Sequence, residues 1–556
     1  MADALKLVKE KEKVFKALYQ RMDDDRDLRR LKKYVMKDRK NKIVSGILNV
    51  TLNDPAVFAA YVISALSSTS QQTVVQSDIE DFDTAKIEDF QKAALNGANA
   101  RLRKMGRPEL NAFFDEQLAM RGRAAGRCIF REENKVLIPD ITPWDTRYVT
   151  YHLGPEGLEW AAFKGNRTKD EIMAEWGKEL EGKDISLKED KNQVLDMWNT
   201  KGNELFIGGK KAHEQEHKFG FCPVAIQVVP LGSMFADEDN EAYYGESIYF
   251  MIRYIIEELN RLASMAQTAN FLALRGPKEY ASKEGAGATP PDYAEVTDPE
   301  SITSVDIGGG TKNIPIQDLL RAFDRMNTIL ESRMQRGSLT SIDLGNLQFP
   351  LSGTALVEIG EGRDQVLLPR LMAKASLNQE LAEMFTAQVI QIGGSVELGT
   401  KGHKQSFNTS DLEGEYETNY RYSTKSPTVD AGRYSLAAGV GDMLSEKFKM
   451  ENILQVDDPA GEDRQKRVEE AERLSPGIKM ERTIVALVEM DTEQALFEAK
   501  ILAAEMDINI EAMMAGELQQ QPKPEKRDEP TQVLPLTPGP RPAAPALLAE
   551  GGNDAA

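Results

Sequence analysis

Residues 241–277 have the sequence EAYYGESIYFMIRYIIEELNRLASMAQTANFLALRGP, the most informative local pattern of the chain. Its apolar residues recur at helical spacing, at Ile248, Met251, Ile252, Ile255, Leu259, Leu262 and Ala266. An acidic run at residues 237–241 favours a helix start, and Gly276-Pro277 favours a helix end. We therefore predict one amphipathic helix over residues 241–275, on the order of 50 Å long at about 1.5 Å per residue. A helix of that length usually crosses between domains.

A second long helix is predicted over residues 316–337. Residues 277–314, rich in Gly, Pro, Thr and Ser, separate it from the first helix. Asn313 and Pro315 favour its start, and Gly337 favours its end. Its apolar positions are Ile316, Leu319, Leu320, Phe323, Met326 and Leu330. Two long helices therefore bracket a small insertion.

This second helix also has a basic stripe. Arg321, Arg325 and Arg336 fall within about 60° of one another on a helix with 100° per residue. In an acidic protein, such a stripe can contact phosphates. The alternative is that Asp318 and Asp324 pair with these arginines and that the stripe is an ordinary solvent-exposed face of the helix.

Residues 338–353 show no clear period and include a single acidic residue, Asp343. A loop of this length inside a compact protein is usually functional or disordered, and its moderate apolar content argues against plain disorder. A further helix is predicted over residues 354–392, with a kink at Pro369. A strand is expected around residues 415–422, helices over residues 431–516, and a disordered Pro-rich tail after them.

The first half of the chain combines helices and strands. Residues 1–70 have helical periodicity, with a helix start at Asn53-Asp54-Pro55. From Cys128 to about residue 230, short β-branched and aromatic runs alternate with Gly, Asn and Pro turns, which predicts strands. We expect the tryptophans in this region to fill its core; they are Trp144, Trp160, Trp176 and Trp198. The predicted fold class is α+β, mainly α-helical.

The composition is that of a soluble globular protein. The 556 residues suggest roughly four domains at about 150 residues each. Lys and Arg number 69 and Asp and Glu 89, which gives a net charge of −20. No apolar run of roughly 18 residues and no signal-peptide pattern occurs, so we expect no membrane span and synthesis in the cytoplasm. The two cysteines and four histidines argue against a disulfide framework or a thiolate metal site.

One stretch matches an enzyme motif. His213-Glu214-Gln215-Glu216-His217 fits H-E-x-x-H, in which two histidines one helical turn apart hold zinc and the glutamate acts as a base. Gly208-Gly209 and Gly220 leave barely two turns for such a helix, so we favour a charged hairpin that leads into a strand. A metalloprotease that uses His213, Glu214 and His217 remains the alternative function. We predict no catalytic residue, no metal and no cofactor, since P-loop, dinucleotide and nucleophile-elbow motifs do not occur either.

The order of these parts resembles tailed-bacteriophage portal proteins, also called head-to-tail connectors, and most closely those of short-tailed phages. Five short stretches of sequence support the resemblance. The matching stretches are Phe219-Gly220-Phe221-Cys222-Pro223-Val224, Tyr244-Gly245-Glu246-Ser247, Glu257-Glu258-Leu259-Asn260, Leu351-Ser352-Gly353-Thr354-Ala355 and Leu367-Leu368-Pro369-Arg370-Leu371. The likeness covers about residues 40–510, and the Pro-rich tail departs from it.

The resemblance implies a ring of about twelve subunits around a central DNA channel. Its parts would be wing at residues 1–240 and 354–430, stem helices at 241–275 and 316–337, clip at 276–315, channel loop at 338–353, crown at 431–516 and disordered tail at 517–556. The DNA-channel residues implied in this way are Arg321, Arg325, Arg336, Asp343, Asn346 and Gln348.

The family's role would place the ring at the portal vertex of the virion, and the alternative metalloprotease would act in capsid maturation. Expected partners are further copies of the chain, double-stranded DNA bound without sequence preference, the terminase, the major capsid protein, the scaffolding protein and tail or adaptor proteins. A strongly acidic ring would repel phosphates, so DNA could slide without sticking while isolated basic side chains steady it.

Overall fold

The computed structural model describes most of the chain up to residue 474 and a few later positions. The described residues are 3–77, 84–133, 136–183, 185–234, 237, 240–275, 278–281, 310–313, 320–338, 353–400, 403–423, 433–434, 437–456, 459–474, 483, 498 and 501–502. The chain divides into two compact units, Met1–Arg464 and Gln465–Ala556. The fold below is that of the first unit.

Helices occur throughout this unit. They are α1 (Asp3–Val14), α2 (Lys16–Arg29), α3 (Asp54–Ser67), α4 (Thr84–Lys104), α5 (Leu110–Arg121), α6 (Lys169–Leu180), α7 (Asn240–Tyr243), α8 (Arg253–Arg275), α9 (Leu320–Gly337), α10 (Gly353–Ile392), α11 (Glu446–Phe448) and α12 (Pro459–Leu474), whose last residues belong to the second unit. The predicted second long helix ends at Gly337 as expected, and α10 continues through Pro369.

The strands form small antiparallel sheets. They are β1 (Ser70–Gln76), β2 (Arg123–Glu133), β3 (Val136–Trp144), β4 (Val149–Gly154), β5 (Gly157–Arg167), β6 (Asn192–Asn199), β7 (Gly202–Ile207), β8 (Lys210–Glu216), β9 (Val224–Val228), β10 (Lys278–Ala281), β11 (Gly310–Asn313), β12 (Ser395–Thr400), β13 (His403–Asn408) and β14 (Glu417–Ser423). The sheet orders are β4-β5-β6-β7-β8, β3-β2-β9, β1-β14, β10-β11 and β12-β13. With these helices and sheets, the α+β class is confirmed.

The strand-rich region lies where the sequence places it. Three of its tryptophans, Trp144, Trp160 and Trp198, are buried in hydrophobic clusters that include residues of the five-stranded sheet. Trp176 of α6 is partly buried and packs against another cluster, which includes Val194 and Leu205. Trp144 stacks on Phe163 with ring centroids 5.3 Å apart. These tryptophans therefore fill the core, as predicted.

The largest hydrophobic cluster joins early and late parts of the sequence. β1 pairs with β14 from Ser70↔Ser423 to Gln76↔Glu417, although more than 300 residues separate the two strands. Phe90 of α4 contacts Phe385 of α10, with ring centroids 5.8 Å apart. The residue ranges 75–229 and 373–420 thus contribute to one core rather than to two.

A buried ion pair crosses the same core. Lys374 Nζ of α10 lies 2.8 Å from Asp115 Oδ1 of α5, and both side chains are almost fully buried. Burial raises the pKa of Asp115 and lowers that of Lys374, although each partner opposes the shift of the other. Lys374 Nζ also lies 4.5 Å from the ring centroid of Tyr422 on β14. The pair therefore fixes α10 against α5 and β14 together.

The first long helix is shorter than the sequence predicts. α8 begins at Arg253, and residues 240–243 form the separate short helix α7, so the prediction of one helix over residues 241–275 is wrong in its first turns. The break is at Gly245, which has a φ of 81°. A Cβ atom on Gly122, whose φ is 67°, would lie 2.1 Å from the Gly245 carbonyl oxygen. The two glycine backbones approach too closely for any side chain, and this contact interrupts the helix.

The carboxyl group of Glu380 gives the fold a pH dependence that can be measured. Burial on α10 raises its pKa to about 7, partly opposed by the hydrogen bond that Gln227 Nε2 donates to Oε2 at 3.0 Å. A carboxyl group whose pKa is higher in the folded state stabilises the fold at pH values below its pKa in the unfolded state. This stabilisation is lost as the pH rises through the folded-state value of about 7. We expect Glu380→Gln to unfold like the wild type at about pH 5 and to be more stable by about 2 kcal/mol near pH 8.

Chemical denaturation at several pH values checks this expectation. Glu413→Gln is the matched control, because Glu413 is exposed. Its stability difference from the wild type should not change with pH. A Glu380→Gln variant that is less stable than the wild type near pH 8 would contradict the assigned shift.

Candidate functional site

The helix pair α8 and α9 is antiparallel and tied at both ends. At one end, β10 follows α8 and pairs with β11, which precedes α9, in the register Lys278↔Asn313 to Ala281↔Gly310. At the other end, a Cβ atom on Gly337 would lie 2.8 Å from Ile252 Cγ2 and 3.2 Å from Met251 Cβ. The last residue of α9 therefore has to be glycine for the two helix ends to meet at this distance.

A buried ion network holds the start of α8. Arg253 Nε donates to Asp25 Oδ1 at 2.7 Å, and its Nη2 donates to Asp25 Oδ2 at 2.9 Å and to Glu246 Oε2 at 3.0 Å. Asp25 and Glu246 are each only 1% exposed. Burial alone would lower the pKa of Arg253, but Asp25 and Glu246 outweigh it and raise that pKa. The first turn of α8 is thus fastened to α2, which includes Asp25.

Arg21 and Ser247 complete this network. Arg21 Nη1 lies 3.2 Å from Glu246 Oε1, and its Nη2 donates to the Gly245 carbonyl at 2.8 Å. Burial lowers the pKa of Arg21 to about 10, and Glu246 opposes that shift. The Ser247 hydroxyl donates to Asp25 Oδ2 at 2.7 Å. Two buried carboxylates and two guanidiniums therefore satisfy one another at the base of the helix pair.

An extended segment, residues 48–52, runs along the middle of α8. The N–H groups of alternate residues donate to side-chain oxygens four residues apart on the helix: Leu48 to Thr268 Oγ1 (3.0 Å), Val50 to Ser264 Oγ (2.9 Å) and Leu52 to Asn260 Oδ1 (2.9 Å). Ser264 and Thr268 donate their own hydroxyl protons to the helix carbonyls four residues earlier, at 2.7 Å each. The spacings match because two extended residues span about 6.6 Å and four helical residues about 6 Å.

Several large apolar side chains of the helix pair remain exposed in the single chain. Tyr254, Met265 and Leu272 lie within about 20° of one another around α8. They are 74%, 37% and 41% exposed. On α9, Met326 and Ile329 are 43% and 48% exposed. The ion pair of Glu258 with Arg261 lies on the same side of α8, so this side combines exposed apolar and charged groups, as protein contacts do.

The structure places only part of the sequence-predicted DNA-channel set. Arg325 and Arg336 are exposed on α9, and neither has an ion pair with another described residue. Ile329 lies between them on the same side of the helix at 100° per residue. Arg321 belongs to α9, but its side chain lies outside the described part, as does Asp318. Asp343, Asn346 and Gln348 lie outside the described residues as well, so the channel role of the set remains a prediction.

The H-E-x-x-H stretch belongs to a hairpin, as predicted. β7 and β8 pair with Leu205↔His213 and Gly202↔Glu216, so the motif lies on a strand and not on a helix. His217 follows the strand, and its Nε2 lies 2.9 Å from the Asn199 carbonyl oxygen. The helical frame on which the metalloprotease alternative depends is therefore wrong. Among the residues that the structure describes, no group of three His, Cys, Asp or Glu side chains could hold a metal ion.

Both cysteines are buried. Cys128 is fully buried, and burial raises the pKa of its thiol well above the usual value. The pKa of Cys222 is raised to about 12 for the same reason. Its Sγ lies 3.5 Å from the Trp198 carbonyl oxygen. A thiol in such surroundings stays protonated and does not act as a nucleophile.

A charged cleft of about 960 Å³ lies beside the β2–β3 pair. Arg127 and Arg131 contact Asp140 Oδ2 at 3.1 and 2.5 Å, and Arg101 contacts Oδ1. Burial would raise the pKa of Asp140, but the three guanidiniums outweigh it and lower that pKa. Arg127 also lies 3.2 Å from Asp196 Oδ2. These cations are paired within the cleft, which is typical of a structural ion cluster.

No helix in the described ranges is long and apolar enough to span a bilayer. No protein-family model and no curated protein matches the chain. Similar solved structures include a chain from the neck of an empty GTA particle computed with C6 symmetry, at 12% identity and a TM-score of 0.37, covering 72% of this chain and 89% of that one.

Two further similar structures have the same coverage of both chains. A chain from the neck of a native GTA particle computed with C12 symmetry has 11% identity and a TM-score of 0.38, covering 72% of this chain and 89% of that one. A chain from the virion of a native gene transfer agent (GTA) particle has 12% identity and a TM-score of 0.36, with the same 72% and 89% coverage.

Proposed function

We propose that the chain is a portal, or head-to-tail connector, subunit of a phage-like particle. About twelve copies form a ring at the portal vertex, and double-stranded DNA passes through its channel during packaging and ejection. The terminase, the major capsid protein, the scaffolding protein and tail or adaptor proteins dock on the ring. The role is structural, without catalysis and without a metal or cofactor.

The helix pair is the observation on which this proposal rests. Its two antiparallel helices are fastened to the α+β body through Asp25, Glu246 and Arg253, and each helix has large apolar side chains that one chain leaves exposed. A rigid pair of this kind can repeat around a closed ring, because a heterologous contact between identical chains closes when the rotation between them fits. The stretches of sequence that resemble portal proteins lie at the start of this pair and around α10.

The native mass of the purified protein tests the proposal directly. A ring of about twelve copies of the 61.9 kDa chain has a mass of about 740 kDa. We expect native mass spectrometry at micromolar concentration to give that species. A protein that stays monomeric at this concentration would contradict the proposed ring.

The channel assignment has its own test. Residues 338–353 are nearly neutral, and Arg336 precedes them, so this part can contact moving DNA through weak phosphate contacts that salt disrupts. We expect deletion of residues 340–348, or Arg321→Glu combined with Arg325→Glu, to leave ring formation intact and to reduce the DNA packaged per capsid. Lys6→Glu with Lys9→Glu on α1 is the control of equal charge. If both channel variants retained full-length DNA at the normal level, these residues would not line the channel.

A further inference from the structure

A run of exposed basic residues lies outside the helix pair, on the loop between α2 and α3. We call residues 31–45 the basic loop. Its cations are Lys32, Lys33, Lys37, Arg39, Lys40 and Lys42, all of them exposed. Asp38 is the single acidic residue of this stretch. A local excess of positive charge this large is unusual in a chain with a net charge of −20.

Most of these cations are available to a ligand. Lys32 pairs with Asp27 at 2.7 Å, whereas the other five have no ion pair with any residue that the structure describes. Asp38 does not neutralise them by a side-chain pair, because its Oδ1 accepts the N–H groups of Lys40 and Lys42 at 2.8 Å each and shapes the turn. Arg127 and Arg131 of the 960 Å³ cleft, by contrast, are paired with Asp140.

The basic loop is held in place. Its two limbs meet at the bridge Lys37↔Ile43. The N–H of Met36 donates to Asn49 Oδ1 at 2.8 Å, and the N–H of Tyr34 donates to Thr51 Oγ1 at 2.9 Å. The limb that follows the loop is the segment that lies on α8 through its three hydrogen bonds. Like charges on one turn repel one another, so these contacts keep together cations that would otherwise separate.

The composition of the loop indicates the class of partner. Five of the six cations are lysines, and lysine is depleted in protein–protein interfaces, where arginine and aromatic residues are enriched. Lysine and arginine contacts to phosphates dominate nucleic-acid binding without sequence preference. Tyr34, the one aromatic residue of the loop, is half-buried, so the loop offers no exposed ring for base stacking.

We propose that the basic loop binds the phosphate backbone of nucleic acid, with duplex DNA as the ligand and without sequence preference. This site is separate from the channel residues of α9, and it extends the proposed function without requiring the ring. Lys37, Arg39, Lys40 and Lys42 are the four contacts nearest the tip of the loop.

Salt-dependent binding tests this inference. Fluorescence anisotropy with a labelled duplex of about 30 base pairs is measured between about 50 and 200 mM salt for the wild type, for a loop variant and for a control variant. The loop variant replaces Lys37, Arg39, Lys40 and Lys42 with glutamine. The control variant replaces Lys6, Lys9, Lys13 and Lys16 with glutamine, which are also exposed and change the net charge equally.

We expect the loop variant to bind at least tenfold more weakly at low salt. The slope of log affinity against log salt should fall in magnitude by about 3.6, because each of the four lost phosphate contacts accounts for roughly 0.9 of a unit. The control should bind like the wild type. Wild-type affinity in the loop variant, or an equal loss in the control, would overturn the inference. Tighter binding of labelled polyglutamate than of the duplex at the same salt concentration would overturn it too, in favour of an acidic protein surface.

The same samples separate this inference from the proposed function. Native mass spectrometry of the wild type reports the ring, and anisotropy reports the loop. A monomer whose DNA binding depends on the basic loop would refute the ring and support the loop site. A ring whose DNA affinity is unchanged in the loop variant would support the ring and refute the loop site.

Discussion

Replacing Tyr254 and Met265 together with glutamate is expected to convert the proposed ring into monomers of 61.9 kDa. The two side chains lie within about 20° of each other on α8 and are exposed in the single chain. A fully buried apolar side chain of this size contributes about 1.5–3 kcal/mol, and in a ring the loss recurs at every subunit contact. In the heterologous contact that closes a ring, each subunit contact would also have to bury two unpaired carboxylates.

A control variant with the same kind of substitution elsewhere on the surface distinguishes loss of the subunit contact from a general effect of added surface charge. Leu153→Glu with Met173→Glu also replaces two exposed apolar residues, which lie on β4 and α6 at 59% and 48% exposure. This control should keep the mass of the wild type in native mass spectrometry, and circular dichroism should show unchanged helix content in both variants. If the Tyr254 and Met265 variant formed the same oligomer as the wild type, the exposed face of α8 would not be a subunit contact.

The sequence predicts those parts of the fold whose signal is local. The apolar period around Phe323 and Leu330 and the glycine at position 337 predict α9 well, because burial on one helix face and the helix end depend on neighbouring residues. The hairpin that includes His213 is predictable for the same reason, from the glycines at 208 and 209. The pairing of β1 with β14 is not predictable in this way, since nothing within either strand specifies a partner so distant in sequence.

The start of α8 shows why a periodic pattern can mislead. Residues 248–252 have helical apolar spacing, but Ile248, Tyr249 and Ile252 pack in the cluster with Phe58 and Val62 while outside the helix. The backbone contact between Gly122 and Gly245 and the pairing of Arg253 with Asp25 decide where the helix begins. Both involve residues more than 100 positions away, so tertiary contacts override the local period here.

The candidate site was predictable to a similar extent. The basic character of Arg325 and Arg336 follows from spacing on one helix, and the structure leaves both exposed. The exposed apolar face around Tyr254 was missed, because a sequence pattern does not show which of two apolar stripes the same chain covers. The basic loop was missed although its charge run is visible in the sequence; its significance depends on the absence of partners among the described residues, which only the packing reveals.

The second large effect is expected in the free energy of unfolding. Asp25→Ala should destabilise the protein by about 3–5 kcal/mol, because it leaves the Arg253 guanidinium at a buried site with Glu246 alone and removes the acceptor of the Ser247 hydroxyl. Asp24→Ala is the matched control. Asp24 is exposed on the same helix and, among the residues that the structure describes, accepts from Gln20 alone, so the control should change stability by less than about 0.5 kcal/mol. Denaturant unfolding of both variants measures the difference.

A double variant shows where that cost originates. Charges in a buried pair lose their hydration, and removal of one partner leaves the other uncompensated, whereas removal of both relieves this penalty. We therefore expect Asp25→Ala combined with Arg253→Met to be destabilised by less than the sum of the two single changes, with a coupling of about 1–3 kcal/mol. If the effects were additive, Asp25 and Arg253 would act independently, and the network could not be what fastens the first turn of α8 to α2.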